Sequence, residues 1–140
     1  MCRKTLLKDI STTFEKMGFV PSNTKAPFTY QSNIKYPSIF ADKSDHAHYI
    51  LYTPKRTLQI VAKYQESTGT TIEKLGYTAL DAARTTHDNY LVVCGGGELL
   101  KHSRAIKFLN GQKSIAPRLH ALRVEDIESF LSEDIKLKAA

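Results

Sequence analysis

Two short segments rich in aromatic and β-branched residues, separated by a tight turn, constrain the fold of this chain most strongly. They run from Ala47 to Tyr52 and from Leu58 to Tyr64, and Thr53-Pro54-Lys55-Arg56 lies between them. Such residues favour strands, and the proline is well placed for a tight turn. The sequence therefore predicts a β-hairpin, around which the rest of the chain must be arranged.

The second hairpin strand presents two different sets of side chains, because successive residues of a strand point to opposite faces. One face receives apolar and aromatic residues, which are Leu58, Ile60, Ala62 and Tyr64. The other face receives mostly polar residues, which are Gln59, Val61, Lys63 and Gln65. This second face supplies the first candidate functional side chains, Lys63 and Gln65.

Helices are predicted on both sides of the hairpin from apolar residues that recur every three or four positions. Before it, such a stripe consists of Leu6, Leu7, Ile10, Phe14 and Met17, and the polar, proline-containing residues 20–45 predict irregular strands. After it, a second stripe consists of Ile72, Leu75, Ala79, Leu80 and Ala83. Thr70 and Glu73 have the spacing of a capping box at the start of this helix.

The last third of the chain predicts a strand, a helix, a strand and a closing helix. Tyr90–Cys94 is an apolar run of buried-strand type, and Gly95-Gly96-Gly97 then predicts a tight turn into a helix from about 98 to 109. Residues 119–122 predict a last strand, and apolar residues from Val124 onward predict the closing helix. A mixed central sheet flanked by helices, an α/β fold, accommodates this order. We expect residues 1–140 to form a single domain.

The charge of the chain favours a polyanionic partner. The sequence contains 20 lysine and arginine residues but only 14 aspartate and glutamate residues, which gives a formal net charge of +6. An excess of positive charge accelerates association with nucleic acids. From Lys101 to Arg123 the chain contains lysine and arginine residues but no acidic residue. The candidates for phosphate contact in this segment are Lys101, Arg104, Lys107 and Lys113. The first three would lie along one helix, which could follow a phosphate backbone or simply face solvent.

Several protein classes are excluded by composition. The chain has no run of about 18 apolar residues that could span a membrane. Its two cysteines are too few for a disulfide framework and have no zinc-site spacing. We therefore expect a cytoplasmic protein without membrane partners.

A combination of residues in the segment Ile60–Leu75 carries a family resemblance. Lys63-Tyr64-Gln65 is followed by Ser67-Thr68-Gly69 and then by Glu73-Lys74 at the start of a helix. This arrangement resembles the lysine strand and following helix of PD-(D/E)xK, or restriction-endonuclease-like, nucleases, and the likeness extends over about residues 40–110. It implies a restriction-endonuclease-like core, DNA as substrate and divalent-metal chemistry.

The chain departs from this family at two positions. Where the resemblance places the metal-binding acids, it has His48 on the first hairpin strand and Val61 two residues before Lys63. Mg²⁺ prefers carboxylate oxygens, and valine offers no ligand atom. In such a site the lysine, here Lys63, would orient the attacking water and stabilise the developing phosphate charge. Without the metal ion, this lysine contributes little to cleavage. The resemblance therefore implies a pseudo-enzyme without a resident cofactor, which binds nucleic acid or serves as a subunit of an active nuclease.

Two other functions stay open. The chain could be an active Mg²⁺-dependent endonuclease whose carboxylates have relocated to Asp45, Glu66 or Glu73 and act with Lys63. Alternatively, it could be a protein-interaction adaptor or inhibitor on the same fold. The candidate catalytic set is Lys63, Gln65, Glu73 and His48, and Asp45 and Glu73 are the metal ligands if the chain is active. The expected partner is nucleic acid, with DNA favoured over RNA, and a homodimer or an active nuclease partner is left open.

Overall fold

The computed structural model describes residues 2–139, with side chains described as far as Lys136. Within this range the strands are β1 Val20–Pro21, β2 Thr29–Pro37, β3 Ser44–Tyr52, β4 Thr57–Tyr64, β5 Asn89–Gly95 and β6 Leu119–Arg123. The helices are α1 Arg3–Lys16, α2 Thr71–Ala83, α3 Gly97–Leu100, α4 Arg104–Asn110 and α5 Ile127–Ala139. Short 3₁₀ turns at Lys101–Ser103 and Val124–Asp126 precede α4 and α5.

The strands form one mixed sheet in which they lie side by side in chain order. β2, β3 and β4 are antiparallel neighbours, whereas β4, β5 and β6 run parallel to one another. Parallel neighbours require crossover connections, and α2 supplies the one between β4 and β5, while α3 and α4 supply the one between β5 and β6. The predicted α/β fold with a mixed, helix-flanked sheet is confirmed.

Two hydrophobic cores lie on opposite faces of this sheet. The first includes residues of α1 and α5 packed on Leu58, Ile60 and Ala62. The second includes residues of α2, α3 and α4, together with Val61 of β4. The predicted alternation along β4 is thereby confirmed, and Val61 and Lys63 belong to the face that α2 covers.

The predicted irregular strands of residues 20–45 are in part a regular strand, because every residue of β2 except Asn33 pairs with β3. The prolines explain this difference, since Pro27 precedes β2 and Pro37 is its last residue, so that no proline interrupts the strand. The ladder has one irregular position, Asn33, which has a φ of 54° and lies opposite His48 in the register.

The predicted buried face of α2 is wrong in part. Ile72 and Leu80 are 84% and 51% exposed, and the residues that α2 buries are Leu75, Thr78, Ala79, Asp81 and Ala82. The polar members are tolerated inside because they are hydrogen-bonded: Thr78 donates to the carbonyl of Lys74, and Asp81 accepts from two tyrosine hydroxyls. Bonds to distant tyrosines therefore turn the helix away from the orientation that its apolar residues alone predict.

The capping box predicted for α2 does not form. Thr70 occupies the N-cap position, but its side chain makes no capping hydrogen bond, and Glu73 is exposed. The side-chain amide of Gln65 instead donates to the hydroxyl of Thr71, at 2.7 Å. The start of the helix is thus tied to the end of β4.

The helix predicted from about 98 to 109 is interrupted. His102 and Ser103 have φ values of 56° and 54°, in the left-handed region, so the chain breaks between α3 and α4. Lys101 therefore does not share a helix with Arg104 and Lys107, as predicted. Along residues 2–139, no helix combines the length and the apolar character needed to cross a bilayer.

Side chains cover part of the outer edge of β6. Asn110 accepts a hydrogen bond from the N–H of Ala121 at 2.8 Å and donates to its carbonyl at 3.0 Å, so that its amide takes the place of a neighbouring strand. The ammonium of Lys113 donates to the carbonyl of Leu119. Both side chains occupy backbone groups that an exposed edge would otherwise offer to another chain.

Candidate functional site around Lys63

The ladder between β3 and β4 stops at His48. Paired residues run from Tyr52 and Thr57 to Tyr49 and Ile60. Beyond them, Nδ1 of His48 accepts a hydrogen bond from the backbone N–H of Ala62 at 2.8 Å. An imidazole thus replaces a backbone carbonyl immediately before Lys63.

His48 is neutral at physiological pH. Burial lowers its pKa to about 4, and the positive charges of Arg3 and Lys63 contribute in the same direction. A neutral ring keeps a lone pair on one nitrogen, and the bond from Ala62 requires that this nitrogen be Nδ1. His48 therefore acts as a hydrogen-bond acceptor at the position where the resemblance places a metal-binding acid.

Lys63 is half-buried beneath α2, in a small cavity that Lys74, Thr78 and Leu99 also line. Burial lowers the pKa of its ammonium group, the nearby Asp81 and Asp45 oppose that shift, and Arg3 and Lys74 add to it. Within the described side chains, the ammonium makes no hydrogen bond or ion pair. A half-buried cation of this kind is suited to bind an anion from outside.

Asp81 of α2 lies in the same electrostatic neighbourhood and is only 5% exposed. Its Oδ2 accepts hydrogen bonds from the hydroxyls of Tyr36, at 2.5 Å, and Tyr90, at 2.6 Å. Its Oδ1 is buried and has no partner among the described residues. The pKa values of both tyrosines are raised, first by burial and then by the carboxylate.

Asp45 of β3 is engaged in a similar way. It accepts a hydrogen bond from the hydroxyl of Tyr77, and this bond is the main reason why the pKa of Tyr77 rises to about 12. Each of the two carboxylates near Lys63 is therefore held by tyrosine, and neither forms an ion pair with the lysine.

Of the other candidates, Gln65 lines the same small cavity as Lys63, whereas Glu66 and Glu73 do not line it. The Gln65 amide donates to Thr71 and to the carbonyl of Ser67. Glu66 accepts from the N–H of Gly97 at 2.7 Å, and Glu73 is exposed on the first turn of α2. The side chain of Glu66 thus braces the turn after β5, and that of Gln65 braces the connection between β4 and α2.

This turn is the tight strand-to-helix connection that the glycine run predicted. The backbone carbonyl of Gln65 accepts from the N–H groups of Glu98 and Leu99. Gly96 has a φ of 92°, and a Cβ there would lie 2.3 Å from the carbonyl oxygen of Gln65. The free N–H groups that an anion would need are therefore used within the chain.

The residues at the family's metal positions do not fit Mg²⁺. Val61 has no ligand atom and is packed in the second core, with 8% of its surface exposed, and Nδ1 of His48 is occupied by Ala62. Over the described part of the chain, no three His, Cys, Asp or Glu side chains come together as a metal site.

The predicted phosphate contacts have different surroundings. Lys101 and Lys107 are exposed. Arg104 pairs with the carboxylate of Glu98 at 2.6 Å, and Lys113 is bonded to a backbone carbonyl. Lys101, Arg104 and Lys107 therefore do not form the continuous helical stripe that the sequence suggested.

Sequence reasoning missed several residues near Lys63, namely Arg3, Tyr36, Lys74, Asp81 and Tyr90. Asp81 carried a signal, because it is an acid on a helix between the apolar pairs Ala79-Leu80 and Ala82-Ala83. Arg3 and Tyr36 approach from distant parts of the chain, and no local pattern identifies them.

Comparison with protein families gives one match. The model of a PD-(D/E)XK nuclease superfamily domain matches residues 2–137, well beyond the segment that carried the resemblance. Comparison with curated proteins gives no match, and neither does comparison with solved structures. The extent of the family match agrees with the mixed sheet and with the position of Lys63 on β4. The chain belongs to the PD-(D/E)XK nuclease superfamily.

Proposed function

We propose that this nuclease-fold protein binds nucleic acid through phosphate contacts at Lys63 and does not catalyse metal-dependent cleavage. The observation that carries the proposal is the half-buried Lys63 ammonium, which forms no hydrogen bond or direct ion pair among the described residues, although Asp81 and Asp45 lie near enough for their charges to act on it. Beside it, Val61 and His48 replace the acids that would hold a metal ion.

The charges around Lys63 support the binding of an anion. Arg3 and Lys74 both contribute positive potential at the ammonium, and both are exposed. The hydroxyls of tyrosine residues hold the two nearby carboxylates, Asp45 and Asp81. A phosphate at Lys63 would therefore meet three cations and two carboxylates, each of which accepts a hydrogen bond from a tyrosine hydroxyl.

The net charge of +6 adds a contribution that is independent of base sequence. Phosphate contacts release counterions, so that the logarithm of the binding constant falls linearly with the logarithm of the salt concentration. We expect DNA to be the bound polymer and the protein to act in the cytoplasm, either alone or as a subunit beside an active nuclease.

The test is a binding titration of labelled single-stranded DNA, double-stranded DNA and RNA across a series of salt concentrations. Wild-type protein should show a steep salt dependence. Lys63→Ala should reduce the slope by about 0.9 on duplex DNA, which corresponds to the loss of one phosphate contact. Lys136→Ala is a matched control, because Lys136 is exposed and pairs with Glu133 on α5.

Two results would overturn the proposal. Affinity that barely changes with salt would indicate a protein-interaction module instead of a nucleic-acid-binding protein. Mn²⁺- or Mg²⁺-dependent cleavage that disappears in Lys63→Ala would show an active nuclease, and Asp45→Asn, Asp81→Asn and Glu73→Gln would then identify its relocated ligands.

A further inference from the structure

The outer face of α2 is unusually apolar for an exposed helix. Ile72 and Leu80 are 84% and 51% exposed, and Gly76 lies midway between them, four residues from each. Residues at this spacing lie on one side of a helix. From this arrangement we propose that two copies of the chain associate through antiparallel packing of their α2 helices, centred on Gly76.

Gly76 supports a close approach by another chain. Glycine is unfavourable in the middle of a helix relative to alanine, so an interior helical glycine needs a packing reason. The described fold gives none, since a Cβ at Gly76 would have no atom within 4 Å. A helix of a second copy crossing at this point would supply the reason, because glycine allows two backbones to come close.

The apolar stripe is symmetric about Gly76, which favours a second copy over an unrelated partner. A two-fold interface brings the same patch of both copies together. With the dyad at Gly76, Ile72 of each copy meets Leu80 of the other, and the two glycines face each other. An antiparallel pair therefore covers Ile72 and Leu80 of both copies, because the contact between these two residues occurs twice.

The charges at the ends of α2 complement this pairing. Glu73 lies on the first turn, Arg84 is the C-cap residue, and both are exposed. Within the chain the guanidinium of Arg84 donates to the carbonyl of Ser38 at 2.9 Å, so that a contact with Glu73 of a second copy would use its remaining N–H groups. At 100° per residue, they fall on the same flank of the stripe. An antiparallel arrangement therefore directs Glu73 of each copy toward Arg84 of the other, whereas a parallel arrangement would bring like charges together.

The patch extends beyond α2 toward α4. Phe108 is 42% exposed, and together with Ile72, Leu75 and Ala105 it lines a groove of about 340 Å³ between the two helices. Stable interfaces bury roughly 1,200 Å² or more in total, and a helix of 13 residues is only about 20 Å long. The groove beside Ile72 provides additional surface for the second copy.

The association state of the full chain tests this inference independently of nucleic-acid binding. Sedimentation velocity over a concentration series without DNA should show a monomer–dimer equilibrium. Leu80→Arg should raise the dissociation constant at least about tenfold, as expected for a central apolar contact. Lys8→Ala, an exposed substitution on α1, should leave it unchanged.

Cysteine cross-linking tests the position of the dyad. In a Cys2→Ser background, which removes the exposed native thiol, Ile72→Cys protein mixed with Leu80→Cys protein should form a disulfide-linked heterodimer under mild oxidation, because the two positions meet across the axis. Lys8→Cys is the control. Glu73→Arg should weaken the dimer, and the double change Glu73→Arg with Arg84→Glu should restore it.

A monomer at every concentration would overturn the inference. So would a dimer in which the mixed Ile72→Cys and Leu80→Cys proteins cross-link no better than Lys8→Cys, since association would then use another surface.

Discussion

The imidazole of His48 accepts a hydrogen bond from the backbone N–H of Ala62, with 2.8 Å between the two nitrogens. This bond joins β3 and β4 where their regular ladder has ended. In this family an acid on β3 would bind a metal ion, whereas here the side chain completes the backbone hydrogen bonding of the lysine strand. At the position where the resemblance places a metal-binding acid, His48 therefore has a structural role.

This role predicts a pH dependence of stability. Burial lowers the pKa of His48 to about 4 from an ordinary value of 6.5. Between these values the unfolded chain binds a proton that the folded chain excludes, so the free energy of unfolding should fall as the pH decreases from about 6.5 to 4. Urea unfolding at several pH values measures this loss. His48→Asn, which cannot titrate, should flatten the dependence, and an identical slope in both proteins would contradict the prediction.

Restoring the two missing acids should create metal affinity. The double variant His48→Asp with Val61→Asp would place carboxylates beside Lys63, and burial of the new charge at the 8%-exposed Val61 position should cost about 2 kcal/mol or more. Mn²⁺ should then raise the melting temperature of the variant, since a ligand that binds the folded state stabilises it.

The variant with asparagine at both positions is the matched control, because it has similar volume but no charge. Wild type and this control should show no Mn²⁺-dependent shift of the melting temperature in thermal unfolding. A shift of equal size in the asparagine variant would show that the metal binds elsewhere.

The turn after β5 should not tolerate a side chain at Gly96. Its φ of 92° strains any other residue, and a Cβ would lie 2.3 Å from the Gln65 carbonyl oxygen. We expect Gly96→Ala to lower the free energy of unfolding by at least about 2 kcal/mol. Gly97→Ala is the control, because its nearest atom would lie 3.9 Å away. Equal losses in chemical denaturation would contradict this assignment.

Asn110 should contribute to stability through its contact with β6. Asn110→Ala removes both hydrogen bonds to Ala121, and leaving two backbone groups without their partner should cost about 1–3 kcal/mol. Gln112→Ala, a nearby change at a residue with one exposed hydrogen bond, should cost less than about 0.5 kcal/mol. Thermal unfolding and light scattering on heating measure both effects. Comparable losses in the two variants would argue against the pairing.

The parts of the fold that depend on local patterns were predictable from the sequence. The apolar stripe of α1 is confirmed, because Leu6, Ile10 and Phe14 are buried. The hairpin of β3 and β4 is also confirmed, together with the face of β4 that carries Lys63. These features follow from side-chain spacing, which depends on neighbours along the chain.

Features that depend on distant partners were not predictable in this way. Asp81 is buried because Tyr36, 45 residues earlier, donates a hydrogen bond to it, and this contact turns α2. The break at His102 and Ser103 has no glycine or proline to signal it. The surroundings of Lys63 likewise combine residues from α1, β3 and α2 that no spacing rule connects.

The side-chain cover along β6 has a consequence for how copies of this protein could accumulate. A sheet grows by recruiting strands at its margins, and here one margin carries its own Asn110 and Lys113, while the other ends in a two-residue strand that contains a proline. Open-ended stacking of sheets into fibrils is therefore disfavoured. The two-fold pairing of α2 proposed above would use a helical surface instead, and such a contact saturates after a single pairing.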